Sequence, residues 1–166
     1  MVAACVWAFD YVSKNWAINY LAGKTPRKIL GNLIRLTFTR NSGAAFSFAT
    51  GAAVLLALFS FAVILGIGYW SPRLTSRSWA LVFGLVLGGT LGNLSDRILR
   101  ANSSTGPLKG EVIDWIQLPH WPIFNLADSS IVIAAIVASY LALHNIAPVV
   151  KDHPSKKNKD EGSDVT

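Results

Sequence analysis

Three long stretches of this chain contain no Asp, Glu, Lys or Arg: residues 41–72, 78–95 and 129–150. A helix rises about 1.5 Å per residue and the hydrocarbon core of a bilayer is about 30 Å thick. Each stretch is therefore long enough, or nearly so, to cross it. With 52% hydrophobic residues, 14% charged residues and a mean hydropathy of +0.41, the 166-residue chain is too apolar for an ordinary soluble domain. It reads as an integral membrane protein.

Three spans follow: GAAVLLALFSFAVILGIGYW (51–70), WALVFGLVLGGTLGNLSDRIL (79–99) and IFNLADSSIVIAAIVASYLALHNI (123–146). A fourth is implied at the start, VAACVWAFDYVSKNWAINYLAG, interrupted by Asp10 and Lys14. It lacks a basic leading segment and an evident cleavage site, so it is not read as a removable signal peptide. Four spans place both termini on one side. The link SPRLTSRS and the tail hold six basic residues, against seven in the other two connections, so charge counting leaves orientation open. The net charge of +6 and pI near 9.7 suit an anionic membrane surface. No basic face on a soluble module points to nucleic acid.

Trp70 and Trp79 bracket the short link, while Trp115 and Trp121 lie in the longer connection, places that suit an interfacial belt or core packing alike. The lone Cys5 excludes an internal disulfide and reads as packing. In LIRLTFTRNSG, Ile34, Leu36 and Phe38 alternate with Arg35, Thr37 and Thr39, which predicts a strand with one apolar face; Asn41, Ser42 and Gly43 then turn the chain. In LKGEVIDWIQLPHWPIFN, Val112, Asp114 and Ile116 fall on one side, and the proline and tryptophan content suggests a re-entrant or interfacial segment packed against the first loop.

The third span carries Gly84, Gly88 and Gly92 at four-residue spacing, a smooth ridge that admits a neighbouring helix. A second stripe, Gly89, Asn93 and Arg97, ends in an amide and a guanidinium one turn apart, suited to a peptide carbonyl or a carboxylate; the alternative for Arg97 is snorkelling to the interface. Asp96 and Arg100 stand at ion-pair spacing, as do Asp10 and Lys14 within the first span, where pairing offsets two costly charges. His120 and His144 lack neighbours at a metal-ligand spacing and read as structural.

Asp114 and Asp128 remain. A charge at membrane depth costs roughly 2.5–3.5 kcal/mol on insertion scales. Asp114 is expected to end the loop strand and Asp128 to lie in the first turn of the last helix, so the chain can fold back and bring both carboxylates to one depth. Such a pair can share a proton and activate water, with one member as base and the other donating to a carbonyl. Cation binding and proton relay fit the spacing equally well. A small transporter using the acidic residues is the main rival reading, against which no internal repeat is found.

Taken in order, D-x-x-x-K (Asp10, Lys14), NSGAAFS (Asn41–Ser47), GGTLGNLSDR (Gly88–Arg97), EVIDWI (Glu111–Ile116) and FNLAD (Phe124–Asp128) resemble the five-motif signature of bacterial lipoprotein signal peptidase, also called signal peptidase II. The resemblance covers about residues 10–147. It implies an all-α membrane protein with four transmembrane helices, a small periplasmic β-cradle and an interfacial loop: one peptidase domain over residues 1–147, periplasmic loops at 23–50 and 100–122, and a disordered cytoplasmic tail at 148–166. It implies an aspartic endopeptidase of the bacterial inner membrane, with cytoplasmic termini and its site near the outer face. Such an enzyme cleaves prolipoproteins before a diacylglyceryl-modified cysteine. Asp114 and Asp128 match the catalytic pair; Asn41, Gly43, Asn93, Arg97 and Asn125 match positions that shape the site or contact the peptide. Asp10, Lys14, Ala45, Gly89, Val112 and Ala127 match supporting positions. No metal or cofactor is implied; the partners are the lipid-modified prolipoprotein and membrane lipids, and the protein is expected to be a monomer. Only nine residues precede Asp10, about 14 Å of helix, which leads to the expectation of an upstream start or a short first span in a thinned membrane.

Overall fold

The computed structural model describes residues 1–31, 33–43, 52–102 and 104–149. Ala45 and the tail beyond Val149 lie outside the described residues. Among these residues, four α-helices and three strands follow in the order α1 (Val2–Leu21), β1 (Arg27–Leu30), β2 (Ile34–Asn41), α2 (Ala52–Trp70), α3 (Arg77–Leu99), β3 (Val112–Gln117) and α4 (Leu126–Leu143). A short 3₁₀ turn, Ser71–Arg73, extends α2.

α3 is the centre of the bundle because its glycines let two helices approach its backbone. A Cβ at Gly84 would lie 2.8 Å from Val2 Cβ, one at Gly88 2.6 Å from Val6 Cβ, and one at Gly92 2.5 Å from Asp10 Oδ2. The expected ridge therefore faces α1, and its rising sequence of partners shows that α1 and α3 run parallel. Gly89 faces α4, where a Cβ would meet the Ala127 carbonyl at 2.5 Å and Ile131 Cγ1 at 2.8 Å. Close approach of this kind substitutes dense backbone contact for the hydrophobic drive that is missing between helices in lipid.

At one end of the bundle, Trp79 Nε1 donates to the Ile146 carbonyl at 2.7 Å, and Thr75 and Ser76 donate main-chain N–H groups to the Pro148 carbonyl. Met1, the α2–α3 link and the end of α4 consequently share that end. The strands and the start of α4 occupy the other.

The sheet is antiparallel in the order β1-β2-β3. Leu36 and Phe38 of β2 pack with Trp115 onto a buried cluster of Ala17, Leu21 and Ile113, so the apolar face expected from the alternation caps the end of α1. Full burial of Ile113 contributes about 1.5–3 kcal/mol. The segment expected to be re-entrant or interfacial and packed against the first loop holds the expected strand, β3, which is laddered to β2 with Thr39 opposite Asp114 and Asn41 opposite Val112. Pairing satisfies its main-chain groups more completely than a lipid surface can. Phe124 returns to bond Ile116 in both directions at 2.9 Å, which delivers the chain to the head of α4.

The outer surface is greasy. Leu55, Leu58, Phe59 and Leu65 of α2 and Val132, Ile133, Ile136 and Leu143 of α4 are exposed, whereas Asp10 and Lys14 of α1 are fully buried. A surface of this kind has lipid as its partner. Among the described residues, three helices are long and apolar enough to cross a membrane: Ala52–Arg73, Arg77–Leu99 and Leu126–Leu143. α1 is 20 residues long and turns its two charges inward. Cys5, expected to pack, lies exposed on the outside of α1.

Candidate active site

An aspartate heads the apolar α4 because the start of a helix needs acceptors. The first main-chain N–H groups of a helix have no partner within it, and the dipole favours negative charge there. Asn125 is the N-cap: its side-chain oxygen accepts from Asp128 N at 2.9 Å, while Asp128 Oδ2 accepts from Asn125 N at 3.2 Å. This is a reciprocal capping box. Its signal stands in FNLAD, an asparagine three residues ahead of an acid at the start of an apolar run.

Asp114 approaches from the sheet. It lies third in β3 rather than at the strand's end, because the ladder with β2 continues past it to Gln117. Asn41, two residues beyond its cross-strand neighbour Thr39, is the diagonal partner on the same face and donates Nδ2 to Asp114 Oδ2 at 2.9 Å. Asn41 Oδ1 in turn accepts from Gly43 N at 2.9 Å. Gly43 has φ +96°, a left-handed conformation that a side chain would strain.

The two aspartates meet at Asn125. Its Nδ2 donates to Asp114 Oδ1 at 2.6 Å, and its main-chain N–H donates to Asp128 Oδ2. Asn125 is fully buried, Asp114 is 2% exposed and Asp128 is half-buried. Burial pushes the Asp114 carboxyl up to about 6, against the hydrogen bond from Asn41; the Asp128 charge adds to the rise, and Asn125 and Lys14 oppose it. A carboxyl held in this way beside a second one is equipped for proton exchange.

α3 supplies the next ring of groups. Asn93 Nδ2 donates to Asp128 Oδ1 at 2.8 Å, and Asn93 Oδ1 accepts from Asn125 Nδ2 at 3.2 Å and Lys14 Nζ at 3.0 Å. Arg97, one turn on, is 6% exposed; one of its terminal nitrogens has no hydrogen-bond partner among the described residues. It does not snorkel, and its charge acts on Asp114, Asp96 and Asp128. The pairs expected from helical spacing form: Lys14 Nζ lies 2.7 Å from Asp10 Oδ2, and Arg100 Nε lies 2.6 Å from Asp96 Oδ1. Gly89 and Ala127 are the α3–α4 contact beneath Asp128, and Val112 is buried opposite Asn41. His120 and His144 stand apart from these groups; His144 stacks on Tyr140 with ring centroids 4.1 Å apart.

Beside Asp128 opens a cavity of about 380 Å³, lined by Leu118, Trp121, Phe124, Ser129, Val132 and Ile133 together with Asp128 itself. A larger one, of about 640 Å³, lies at the opposite end between the first turns of α1 and α3, and none of the candidate residues lines it. Chemistry therefore points to the smaller. Among the described residues no three His, Cys, Asp or Glu side chains form a metal-holding group.

The family model for signal peptidase (SPase) II matches residues 2–144. The chain belongs to the signal peptidase II family. It is 44% identical over 142 residues to the lipoprotein signal peptidase of Mycobacterium avium (strain 104), covering 86% of this chain and 76% of that one. It is 42% identical over 142 residues to that of Mycobacterium leprae (strain Br4923), covering 86% and 69%. A bacterial membrane enzyme solved by the in meso method superposes with a TM-score of 0.73 at 26% identity, over 86% of this chain and 90% of that one. Membership in signal peptidase II makes this chain a peptidase.

Proposed function

We propose that this peptidase removes the signal peptide from diacylglyceryl-modified prolipoproteins, cutting before the lipidated cysteine, with Asp114 and Asp128 activating water. The observation that carries the reading is Asn125, whose one residue binds both carboxylates. Asp114, the more deeply buried, holds the shared proton and donates to the scissile carbonyl; Asp128, on the cavity wall, takes a proton from water. The water oxygen bonds to the carbonyl carbon, the C–N bond breaks, and the proton passes to the departing amine. One water and one peptide bond thus become a carboxylic acid and an amine.

Arg97, with a donor to spare, and Asn93 supply hydrogen bonds to the peptide, and Gly43 shapes the turn that covers it. The apolar cavity beside Asp128 supports a lipid flank, and holding the acyl chains in the bilayer plane removes much of the orientational cost. α1 is the fourth span, both termini are cytoplasmic, and the dyad lies near the outer leaflet of the inner membrane. The sheet forms the cradle above it, and the protein works as a monomer.

The deciding experiment is incubation of the purified protein in detergent with a diacylglyceryl-modified prolipoprotein, with mass detection of the released signal peptide. Asp114→Asn and Asp128→Asn should each abolish release while remaining folded. Turnover retained in either would remove the dyad.

A further inference from the structure

Two buried carboxylates have no place in the chemistry above. Asp10 is fully buried and Asp96 is 2% exposed. Both bind Lys14, whose Nζ lies 2.7 Å from Asp10 Oδ2 and 3.0 Å from Asp96 Oδ2. Each also accepts a main-chain N–H from far along the chain: Asp10 Oδ1 from Ala127 at 2.9 Å, and Asp96 Oδ2 from Ile113 at 3.1 Å. Ala127 immediately precedes Asp128, and Ile113 immediately precedes Asp114.

Resting on the peptidase reading of the site, we propose that Lys14, Asp10 and Asp96 form a yoke that sets the spacing of the two catalytic aspartates, each carboxylate gripping the main chain one residue ahead of one of them. The two grips are independent of secondary structure. Ala127 N is one of the orphan donors of the first turn of α4, and the N-cap side chain is committed to the next residue. Ile113 N belongs to β3, an edge strand, and its bond goes to α3 rather than to a strand.

Lys14 suits the hub because an ammonium has three donors. Here Nζ forms ion pairs with Asp10 and Asp96 and donates to Asn93 Oδ1. The third contact orients the Asn93 amide so that its NH₂ faces Asp128. With Arg100 on Asp96 Oδ1, two cations balance two anions inside the bundle. Asp10, Lys14 and Asp96 are positioning residues, since they reach the catalytic carboxylates only through the main chain and Asn93.

The test compares alanine and asparagine at positions 10 and 96, because asparagine keeps an oxygen acceptor while losing the charge. Amide hydrogen exchange resolved at Ala127 and Ile113 is measured with kcat and KM on the lipid-modified prolipoprotein. Asp10→Ala is expected to speed exchange at Ala127 and not at Ile113, and Asp96→Ala the reverse. Both should lower kcat by about tenfold or more, equivalent to about 1.4 kcal/mol, with KM changed less than about threefold. Asp10→Asn and Asp96→Asn should keep kcat within about threefold of the parent. Folded alanine variants with parental kcat, unchanged exchange at both amides, or asparagine variants as impaired as alanine would each overturn the yoke. If the alanine variants do not fold, the asparagine pair decides: parental kcat supports the proposal, and lost kcat or failure to fold overturns it. An unmodified protein that leaves the prolipoprotein uncut defeats the peptidase reading instead, and the exchange pattern still reports on the yoke.

Discussion

Asn125 and Asp128 cap each other across the first turn of α4, and the same asparagine amide reaches 2.6 Å to Asp114. One residue therefore has a stability task and a site task, which substitution can separate. Asn125→Ala loses both, and should cost about 1–2 kcal/mol for the cap alone and nearly all turnover. Asn125→Ser restores a capping oxygen that is too short to serve Asp114. Its thermal stability in detergent should return close to the parent's while signal-peptide release stays at least about tenfold down, a loss of about 1.4 kcal/mol. Equal recovery of both would separate Asn125 from the dyad.

Asp114 titrates upward, to about 6. The profile of kcat/KM reports the free enzyme, so activity should fall as pH rises through about 6 and the shared proton is lost. Asn41 stabilises the ionised form, so Asn41→Ala should move that limb to higher pH. A limb that stays put or moves down contradicts the assignment.

The same shift has a stability consequence. Between the ordinary 3.8 and about 6 the folded chain binds more protons at Asp114 than the unfolded chain. Stability from this group is complete below 3.8 and is lost as pH rises through about 6. Melting temperature should decline over that window in the parent, and the decline should be smaller in Asp114→Ala. Equal slopes would argue against a raised folded-state value.

The glycines divide by what surrounds them. Gly88 and Gly89 face backbone, the Ala3 carbonyl at 2.8 Å and the Ala127 carbonyl at 2.5 Å from a built Cβ, whereas Gly66 has nothing within 4 Å. Gly88→Ala and Gly89→Ala should each destabilise by about 1–3 kcal/mol. Gly89→Ala should also lower kcat, because Ala127 adjoins Asp128. Gly66→Ala should be neutral or stabilising by up to about 1 kcal/mol. Thermal unfolding of the three variants orders them.

Treatment with EDTA should leave turnover unchanged, since the chemistry assigned to the two carboxylates uses no metal. Inhibition reversed by added zinc would contradict that.

Membrane class, the helix positions, the Asp10–Lys14 and Asp96–Arg100 pairs and the glycine ridge were all legible in the chain, because each depends on hydropathy or on the one-turn spacing of a helix. The expected spans at 51–70, 79–99 and 123–146 correspond to α2, α3 and α4 within a few residues. The five motifs likewise pointed to the right family. By contrast, the bond from Asn41 to Asp114 crosses 73 positions, that from Lys14 to Asn93 79, and that from Ala127 to Asp10 117. No periodicity encodes such distances. The β2–β3 ladder, which carries the strand past Asp114 to Gln117 and so places Asp114 in its interior rather than at its end, is of the same kind.

Local geometry thus determined which residues lie one helical turn apart and which faces are greasy. Only the packing of α1 and α4 against the bare backbone of α3, with β3 folded over the end, decided that Lys14, Asn93 and Asn125 converge on two aspartates. The physical reason is that a buried polar group must find its partners wherever the closed chain brings them.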